Sequence, residues 1–136
     1  MIPIRTQPNG FEVACRDLQP ADYPAAKEII SESFPQAIRA NPEALEVLEQ
    51  EPWYDPAHLM VAEVDGRAVS HMGVRSGLLS CSGVGVPAGL VGTVCTDASV
   101  RGRGIGAQLM RASFERMRRD GLAISCLHTS AERFGF

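Results

Sequence analysis

The sequence lacks the charge excess and the aromatic content that are typical of nucleic-acid-binding domains. Its formal net charge is -3, and aromatic residues make up 6% of its 136 residues. Domains of that class usually carry a strongly basic surface, and single strands stack their bases on aromatic side chains. Residues 101–120 hold six arginines against two acidic residues, but the rest of the chain is acidic. We therefore expect no nucleic-acid partner.

The chain also lacks an evident targeting or membrane segment. Residues 1–11 contain no apolar run of the length that the core of a signal peptide needs, so the expected location is cytoplasmic. One uncharged stretch, residues 76–96, has 21 residues, nominally enough to cross a bilayer. Its five glycines and Pro87 instead favour two short strands and a turn. We expect no membrane partner.

No Cys-x-x-Cys pair, a spacing common in zinc sites, is present. The four cysteines are widely separated, and each lies among apolar or small residues. Buried free thiols, and no metal site, are predicted for Cys15, Cys81, Cys95 and Cys126.

The length and the apolar content, 136 residues and 45%, fit one globular domain over residues 1–136. Hydrophobic periodicity predicts helices at 20–34, 41–50 and 105–119, and strands at 11–16, 59–64, 67–74, 90–95 and 122–127. Pro35 is expected to end the first helix, and Asp65-Gly66 to form a tight hairpin turn. This order of elements predicts a mixed α/β (α+β) domain.

The helix at 105–119 has the strongest pattern in the sequence. Its large apolar residues are predicted on one face: Ile105, Leu109, Met110, Phe114 and Met117. Gly121 is well placed as its left-handed C-terminal residue.

Residues 41–65 contain seven acidic residues and no Lys or Arg. This run is either a solvated face or a rim that attracts a cationic substrate, and the sequence leaves both interpretations open.

Residues 94–110 are the most informative segment, because a predicted strand turns through glycines and arginines directly into a helix. Such a turn directs unpaired backbone N–H groups and the positive end of the helix dipole at one point. A Walker loop is excluded, since Ile105 and Ala107 follow Gly104 and Gly106 where that motif needs Lys. A dinucleotide fingerprint is disfavoured, because no strand with an acidic end follows. The segment predicts an anion site.

The spacing Arg101-x-x-Gly104-x-Gly106 between a strand and a helix resembles motif A of the GNAT superfamily of N-acetyltransferases. Residues 95–106 and 127–136 are similar in particular to the enhanced-intracellular-survival branch. The resemblance implies a mixed, mostly antiparallel sheet flanked by helices. It also implies an acetyl-CoA-dependent N-acetyltransferase, which transfers an acetyl group to a primary amine of a small molecule or a protein by direct attack.

The resemblance further implies a role for each part of the motif. Main-chain N–H groups of residues 101–107 would hold the pyrophosphate of coenzyme A, and Arg101 and Arg103 would add charge. Residues 94–96 would pair with the pantetheine arm in a gap between this strand and the next. The N–H of Val94 or Cys95 would polarise the thioester carbonyl, a contribution of about 3 kcal/mol. The implied cofactor-binding residues are Val94, Cys95, Thr96, Arg101, Gly102, Arg103, Gly104, Ile105, Gly106 and Ala107.

The proton transfers are the least determined part of this expectation. An amine is mostly protonated near neutral pH, so a base, or a water chain to one, has to remove a proton first. The candidates, by residue type alone, are His71, Glu63, Asp55 and His128. No catalytic residue is assigned, and the Cys95 thiol is expected to pack rather than to attack.

The family pattern continues after Phe136 with a tyrosine and two more strands, which this sequence does not contain. The domain is therefore expected to be incomplete at its C-terminus or to be completed by a partner chain. An open sheet edge of this kind favours a homodimer. The rival hypothesis is a coenzyme A-binding or dimerisation module without catalytic turnover.

Overall fold

A mixed sheet forms the centre of the computed structural model, which describes residues 5–6, 12–43 and 59–129. In these ranges six strands lie side by side in the order of the chain. They are β1 (Arg5–Thr6), β2 (Glu12–Asp17), β3 (Leu59–Val64), β4 (Arg67–Cys81), β5 (Val84–Thr96) and β6 (Ile124–Leu127). All neighbours pair antiparallel except β5 and β6, which are parallel. The predicted mixed, mostly antiparallel sheet is confirmed.

Helices cover both faces of this sheet. They are α1 (Tyr23–Ser33), α2 (Pro35–Ala40) and α3 (Ile105–Arg119). Ala26 of α1 packs with Val61, whereas α3 packs with the preceding residue, Met60. Because successive residues of a strand point to opposite faces, α1 and α3 lie on opposite sides of the sheet. Each of these two helices therefore buries its own hydrophobic core against one face of the sheet.

Two tight turns connect the three central strands. Asp65 and Gly66 have φ values of 50° and 78°, and Ser82 and Gly83 have 50° and 82°. Two consecutive residues with positive φ are typical of the hairpin turn whose twist matches that of the strands. The Asp65-Gly66 hairpin is confirmed. The strands predicted at 67–74 and 90–95 are parts of the longer β4 and β5.

The region after α1 differs from the prediction. Pro35 follows the end of α1, but it also begins the short helix α2, because proline fits the first position of a helix. Asn41 ends α2 and residues 42–43 form a turn, so the predicted helix 41–50 does not begin where expected. The rest of that predicted helix, and most of the acidic run at 41–65, lie outside the described residues.

Two burial predictions were wrong. Phe114 is 42% exposed, because the buried face of α3 runs through Ala112 and Ser113 instead. Cys81 is exposed at the end of β4, next to the Ser82-Gly83 turn. Cys15 and Cys95 are buried as predicted, and Cys126 is half-buried.

The described ranges contain no helix that is both long and apolar enough to cross a membrane. A cytoplasmic location stays a prediction. Within the same ranges, no three residues of the types His, Cys, Asp and Glu come together as a metal site.

Candidate cofactor site

The corner between β5 and α3 is held by a capped turn. A short 3-10 turn, Ala98–Val100, follows β5, and Asp97 caps it. Asp97 Oδ1 accepts hydrogen bonds from the Ser99 N–H at 2.9 Å and from the Ser99 hydroxyl at 2.7 Å. Both bonds lower the pKa of Asp97, and the bond from the Ser99 hydroxyl has the larger effect. The Asp97 carboxylate is therefore ionised and stabilises the conformation of the loop.

Two glycines give the loop its path into the helix. Gly102 and Gly104 both have a φ of 75°, in the left-handed region that disfavours other residues. Gly104 is the residue that precedes α3, and it offers no side chain to cap the helix. A Cβ atom on Gly102 would meet no atom within 4 Å, so the main chain is open to solvent there.

The first turn of α3 presents backbone N–H groups at this corner. The first helical hydrogen bond runs from the Gln108 N–H to the Gly104 carbonyl at 3.1 Å. The N–H groups of Ile105, Gly106 and Ala107 come before it and have no helical acceptor. Ile105 is 2% exposed and anchors the turn in the core. The corner has the donors and the open main chain that a phosphate group needs.

Gly106 lies at a close approach of α3 to the end of β5. A Cβ atom on Gly106 would lie 3.3 Å from Thr96 Oγ1, which is tighter than an ordinary contact. Thr96 is itself fixed, since its Oγ1 lies 2.9 Å from Ser70 Oγ. The small residue at position 106 therefore lets the helix start directly against the end of the strand.

Arg101 is bound to protein atoms as well as adding charge. Its Nε donates to the Thr96 carbonyl at 2.8 Å, and its Nη2 lies 3.4 Å from Ser33 Oγ at the end of α1. The guanidinium thus ties the loop to both β5 and α1. This link could not be predicted, because nothing in the sequence pairs residues 68 positions apart.

The C-terminal part of β5 has an open side. β6 pairs with Ala88–Val91 only, and the ladder ends at the pair of Val91 and Leu127. Residues 92–96 of β5 therefore have no β6 partner in the described part of the chain. A gap between the two strands was expected at this place, next to the N–H groups of α3.

A β-bulge distorts β5 at the same place. His71 of β4 faces Cys95, but Gly73 faces Gly92, so β5 has one residue more than β4 in this interval. The extra residue leaves Thr93 with a φ of 52°. The Thr93 carbonyl lies 2.9 Å from His71 Nδ1, and it also accepts from the Cys95 thiol at 3.6 Å. Apart from the nearby Gly92, the sequence carries no signal of this bulge.

The candidate bases are not brought together. Glu63 Oε2 is bound to Arg16 Nε at 2.7 Å, Asp55 lies outside the described residues, and His128 follows the end of β6 on the surface. His71 is 3% exposed, and burial lowers its pKa, although the hydrogen bond to Thr93 opposes this shift. The imidazole is therefore neutral at neutral pH. The structure does not single out one base.

Cys95 has the properties of a packing residue. Burial raises the pKa of its thiol to about 11, which keeps it protonated near neutral pH. Its side chain packs with Ile29 and Ile30 of α1.

The chain has clear relatives. A family model described as an acetyltransferase (GNAT) domain matches residues 14–136. The mycothiol acetyltransferase of Cellulomonas flavigena is 31% identical over 127 residues, which cover 88% of this chain and 36% of that protein.

Solved structures share the fold. The GCN5-related N-acetyltransferase from Kribbella flavida matches with a TM-score of 0.73 and 19% identity, over 92% of this chain and 32% of that one. A GNAT family acetyltransferase from Brucella melitensis, solved in complex with acetyl-CoA, matches with a TM-score of 0.67 and 22% identity, over 91% and 82%.

The extent of these matches differs. The chain spans only 36% of the curated relative, so it corresponds to part of that protein. The family model, in contrast, covers the chain from residue 14 to residue 136, including β5, the glycine turn and α3. The chain belongs to the GNAT family of acetyltransferase domains.

Proposed function

We propose that this chain is an acetyl-CoA-dependent N-acetyltransferase that acetylates a primary amine of a small molecule or a protein. The observation that carries the proposal is the corner at the start of α3. Three N–H groups without helical acceptors meet there beside two glycines in the left-handed conformation. The acetyl-CoA complex of the relative from Brucella melitensis supports this choice of ligand.

The pyrophosphate of coenzyme A would bind at this corner. The N–H groups of Ile105, Gly106 and Ala107 would donate to it, aided by the positive end of the α3 dipole. The open space at Gly102 and the exposure of Gly104 leave the main chain accessible to the phosphates. Arg101 and Arg103 place positive charge on the same loop.

The thioester arm would lie along the open side of β5. Residues 94–96 can donate and accept backbone hydrogen bonds there, as a further strand would, and the N–H of Val94 or Cys95 would face the thioester carbonyl. Bound acetyl-CoA supplies an acetyl group activated as a thioester. The acceptor amine would form the new C–N bond at the thioester carbonyl carbon, and the C–S bond would break. Coenzyme A with a free thiol is therefore the product to measure.

Calorimetric titration with coenzyme A tests the binding site. We expect binding with one site per chain and an increase of the melting temperature at millimolar ligand. Absence of both effects would remove the acetyltransferase proposal and also its rival, the binding module.

Release of free thiol from acetyl-CoA separates the enzyme from the module without turnover. The acceptors to compare are a polyamine, an aminoglycoside and a lysine peptide, each with its fully N-acetylated form as the matched control. Thiol release with a free amine, but not with its fully N-acetylated form, supports the enzyme. Binding of coenzyme A without release by any of the amines supports the module.

We further propose that the chain forms a homodimer through β6. The outer edge of β6 has no strand partner among the described residues, and Ile124 and Leu127 are 38% and 56% exposed. Unpaired strand edges with apolar side chains favour pairing with a second copy.

A further inference from the structure

His71 lies directly behind the bulge of β5. It is 3% exposed on β4, on the face of the sheet that packs against α1. Its Nδ1 is 2.9 Å from the Thr93 carbonyl oxygen. A carbonyl oxygen only accepts hydrogen bonds, so Nδ1 carries the proton and Nε2 keeps the lone pair. This tautomer makes His71 a donor to the backbone of β5.

Thr93 needs such a donor. Its φ of 52° is unfavourable for a β-branched residue, and the surrounding structure has to hold it in place. Its carbonyl lies beside the His71 ring and the Cys95 thiol. Because a thiol is a weak donor, the imidazole supplies the stronger of the two bonds.

The orientation of this carbonyl determines where the next N–H points. The peptide bond between Thr93 and Val94 is trans, so its C=O and its N–H point in opposite directions. With the Thr93 carbonyl directed at His71, the Val94 N–H points away from His71. The pairing of β5 with β6 has already ended at Val91. Of the two candidate donors to the thioester carbonyl, this geometry favours Val94.

We propose that His71 is a positioning residue, whose Nδ1–H holds the Thr93 carbonyl and thereby aims the Val94 N–H at the thioester carbonyl of acetyl-CoA. The proposal rests on the proposed acetyltransferase function. It assigns His71 a role on the backbone rather than as the general base that its residue type suggests. An amide that is aimed before the reaction stabilises the charge that develops on the carbonyl oxygen.

Two substitutions separate these roles. His71→Leu removes the donor, whereas His71→Asn keeps an N–H group close to the position of Nδ1 but has no basic nitrogen. For the most active amine of the panel, we expect kcat to fall about 100-fold in His71→Leu. In His71→Asn we expect kcat within about threefold of wild type, with little change of KM for acetyl-CoA in either variant. An equal loss of kcat in both variants would overturn the proposal and favour a base.

Isotope-edited infrared spectroscopy of bound acetyl-CoA, labelled with ¹³C at the thioester carbonyl, gives a readout without turnover. A hydrogen bond from the Val94 N–H lowers the carbonyl stretching frequency, so wild type and His71→Asn should show the lowered band and His71→Leu should not. The affinity of all three proteins for coenzyme A is the control. Similar affinities show that a changed band in His71→Leu comes from the lost hydrogen bond to the carbonyl and not from lost binding. An identical band in all three would overturn the proposal.

The ring nitrogens of His71 in the wild-type chain give a test that does not depend on either variant folding. In ¹⁵N-detected NMR we expect the proton on Nδ1, and a proton on Nε2 alone would overturn the proposal. This measurement needs no cofactor. Failure of wild type to bind coenzyme A would therefore refute the proposed function, whereas the tautomer measurement would still test the hydrogen bond from His71 to Thr93.

Discussion

At the scale of single residues, Gly104 is the position on which the proposed phosphate site depends most directly. It has the left-handed conformation and it precedes the free N–H groups of α3. Gly121, at the other end of the helix, has the same φ of 75° but lies away from the corner. The two glycines therefore form a matched pair with the same φ and different locations.

We predict that Gly104→Val abolishes coenzyme A binding, because a branched side chain would lie where the phosphates approach. Gly121→Val should leave binding intact. Both variants should lose about 1–3 kcal/mol of stability, since valine is unfavourable at positive φ. Calorimetric titration and denaturant unfolding of both variants measure the two effects. Full affinity in Gly104→Val would contradict the placement of the site.

Asp22 is a second residue with a specific expected effect. Asp22 is 6% exposed, and its carboxylate forms a two-point ion pair with Arg16, at 2.6 Å and 2.9 Å. The hydrogen bond from Arg16 is the main cause that lowers the pKa of Asp22. A carboxyl whose pKa is lower in the folded state stabilises the protein above its ordinary pKa. That stability is lost as the pH falls through the folded value.

We predict that Asp22→Asn lowers the stability at neutral pH by about 1.5–3 kcal/mol, the usual worth of a hydrogen bond to a charged group. The difference between wild type and variant should shrink as the pH falls below about 4, because the carboxyl then becomes protonated in the unfolded chain while Arg16 still holds it ionised in the folded one. Thermal unfolding of both proteins between about pH 7 and about pH 3 measures it. A difference that is constant over this range would show that the charge of Asp22 contributes nothing.

At the scale of elements, α3 could be predicted to the residue, whereas the β4–β5 hairpin could not. The helix has a regular apolar spacing, with Gly104 before it and Gly121 after it. The outer half of the hairpin, residues 75–81 and 84–87, contains no fully buried residue, so burial imposes only a weak alternation on its sequence. Its glycines and Pro87 therefore predict two short strands and a turn rather than the two long strands of the structure.

The same difference holds for the site. The glycine turn at the start of α3 could be predicted, because a glycine turn before a helix is a local pattern, whereas phosphate binding at this turn stays a prediction. The bond from His71 to Thr93 and the link from Arg101 to Ser33 join distant positions, and only the register of the sheet brings them together. Phe114 was misplaced because a small residue, Ser113, occupies the buried position of the helix.

The contact between α3 and the hairpin allows a test at this scale. A Cβ atom on Gly89 of β5 would lie 2.6 Å from Met117 Sδ and 3.1 Å from Val74 Cγ1. On Gly77 of β4, which is in the same hairpin, it would lie 3.7 Å from Leu90 Cδ1, an ordinary contact.

We predict that Gly89→Ala destabilises the protein by about 1–3 kcal/mol, because α3 is pushed off the sheet. Gly77→Ala should be neutral or stabilising, since alanine in place of glycine restricts the unfolded chain. Chemical unfolding of the two variants provides the measurement. Equal stabilities would show that α3 does not pack tightly at this point.

At the scale of the whole molecule, the proposed homodimer depends on the outer edge of β6, which has no strand partner among the described residues. We predict a dimer at micromolar concentrations that Leu127→Lys converts to a monomer, because charged side chains disfavour pairing at an edge. Leu78→Lys is the control, since Leu78 is 75% exposed on the outer hairpin and not on β6. Sedimentation equilibrium distinguishes the outcomes. A monomeric wild type, or loss of the dimer in the control alone, would exclude this interface.

The connectivity of the sheet also sets an order of assembly. Two-residue turns join β3, β4 and β5, whereas β6 is reached only across α3. Contacts that are close in sequence form faster than those that require a long loop to close. We therefore expect the central hairpins to form early, and the gap between β5 and β6 to exist only after α3 has docked. A ligand held in that gap would slow unfolding by keeping the last-formed part of the molecule closed.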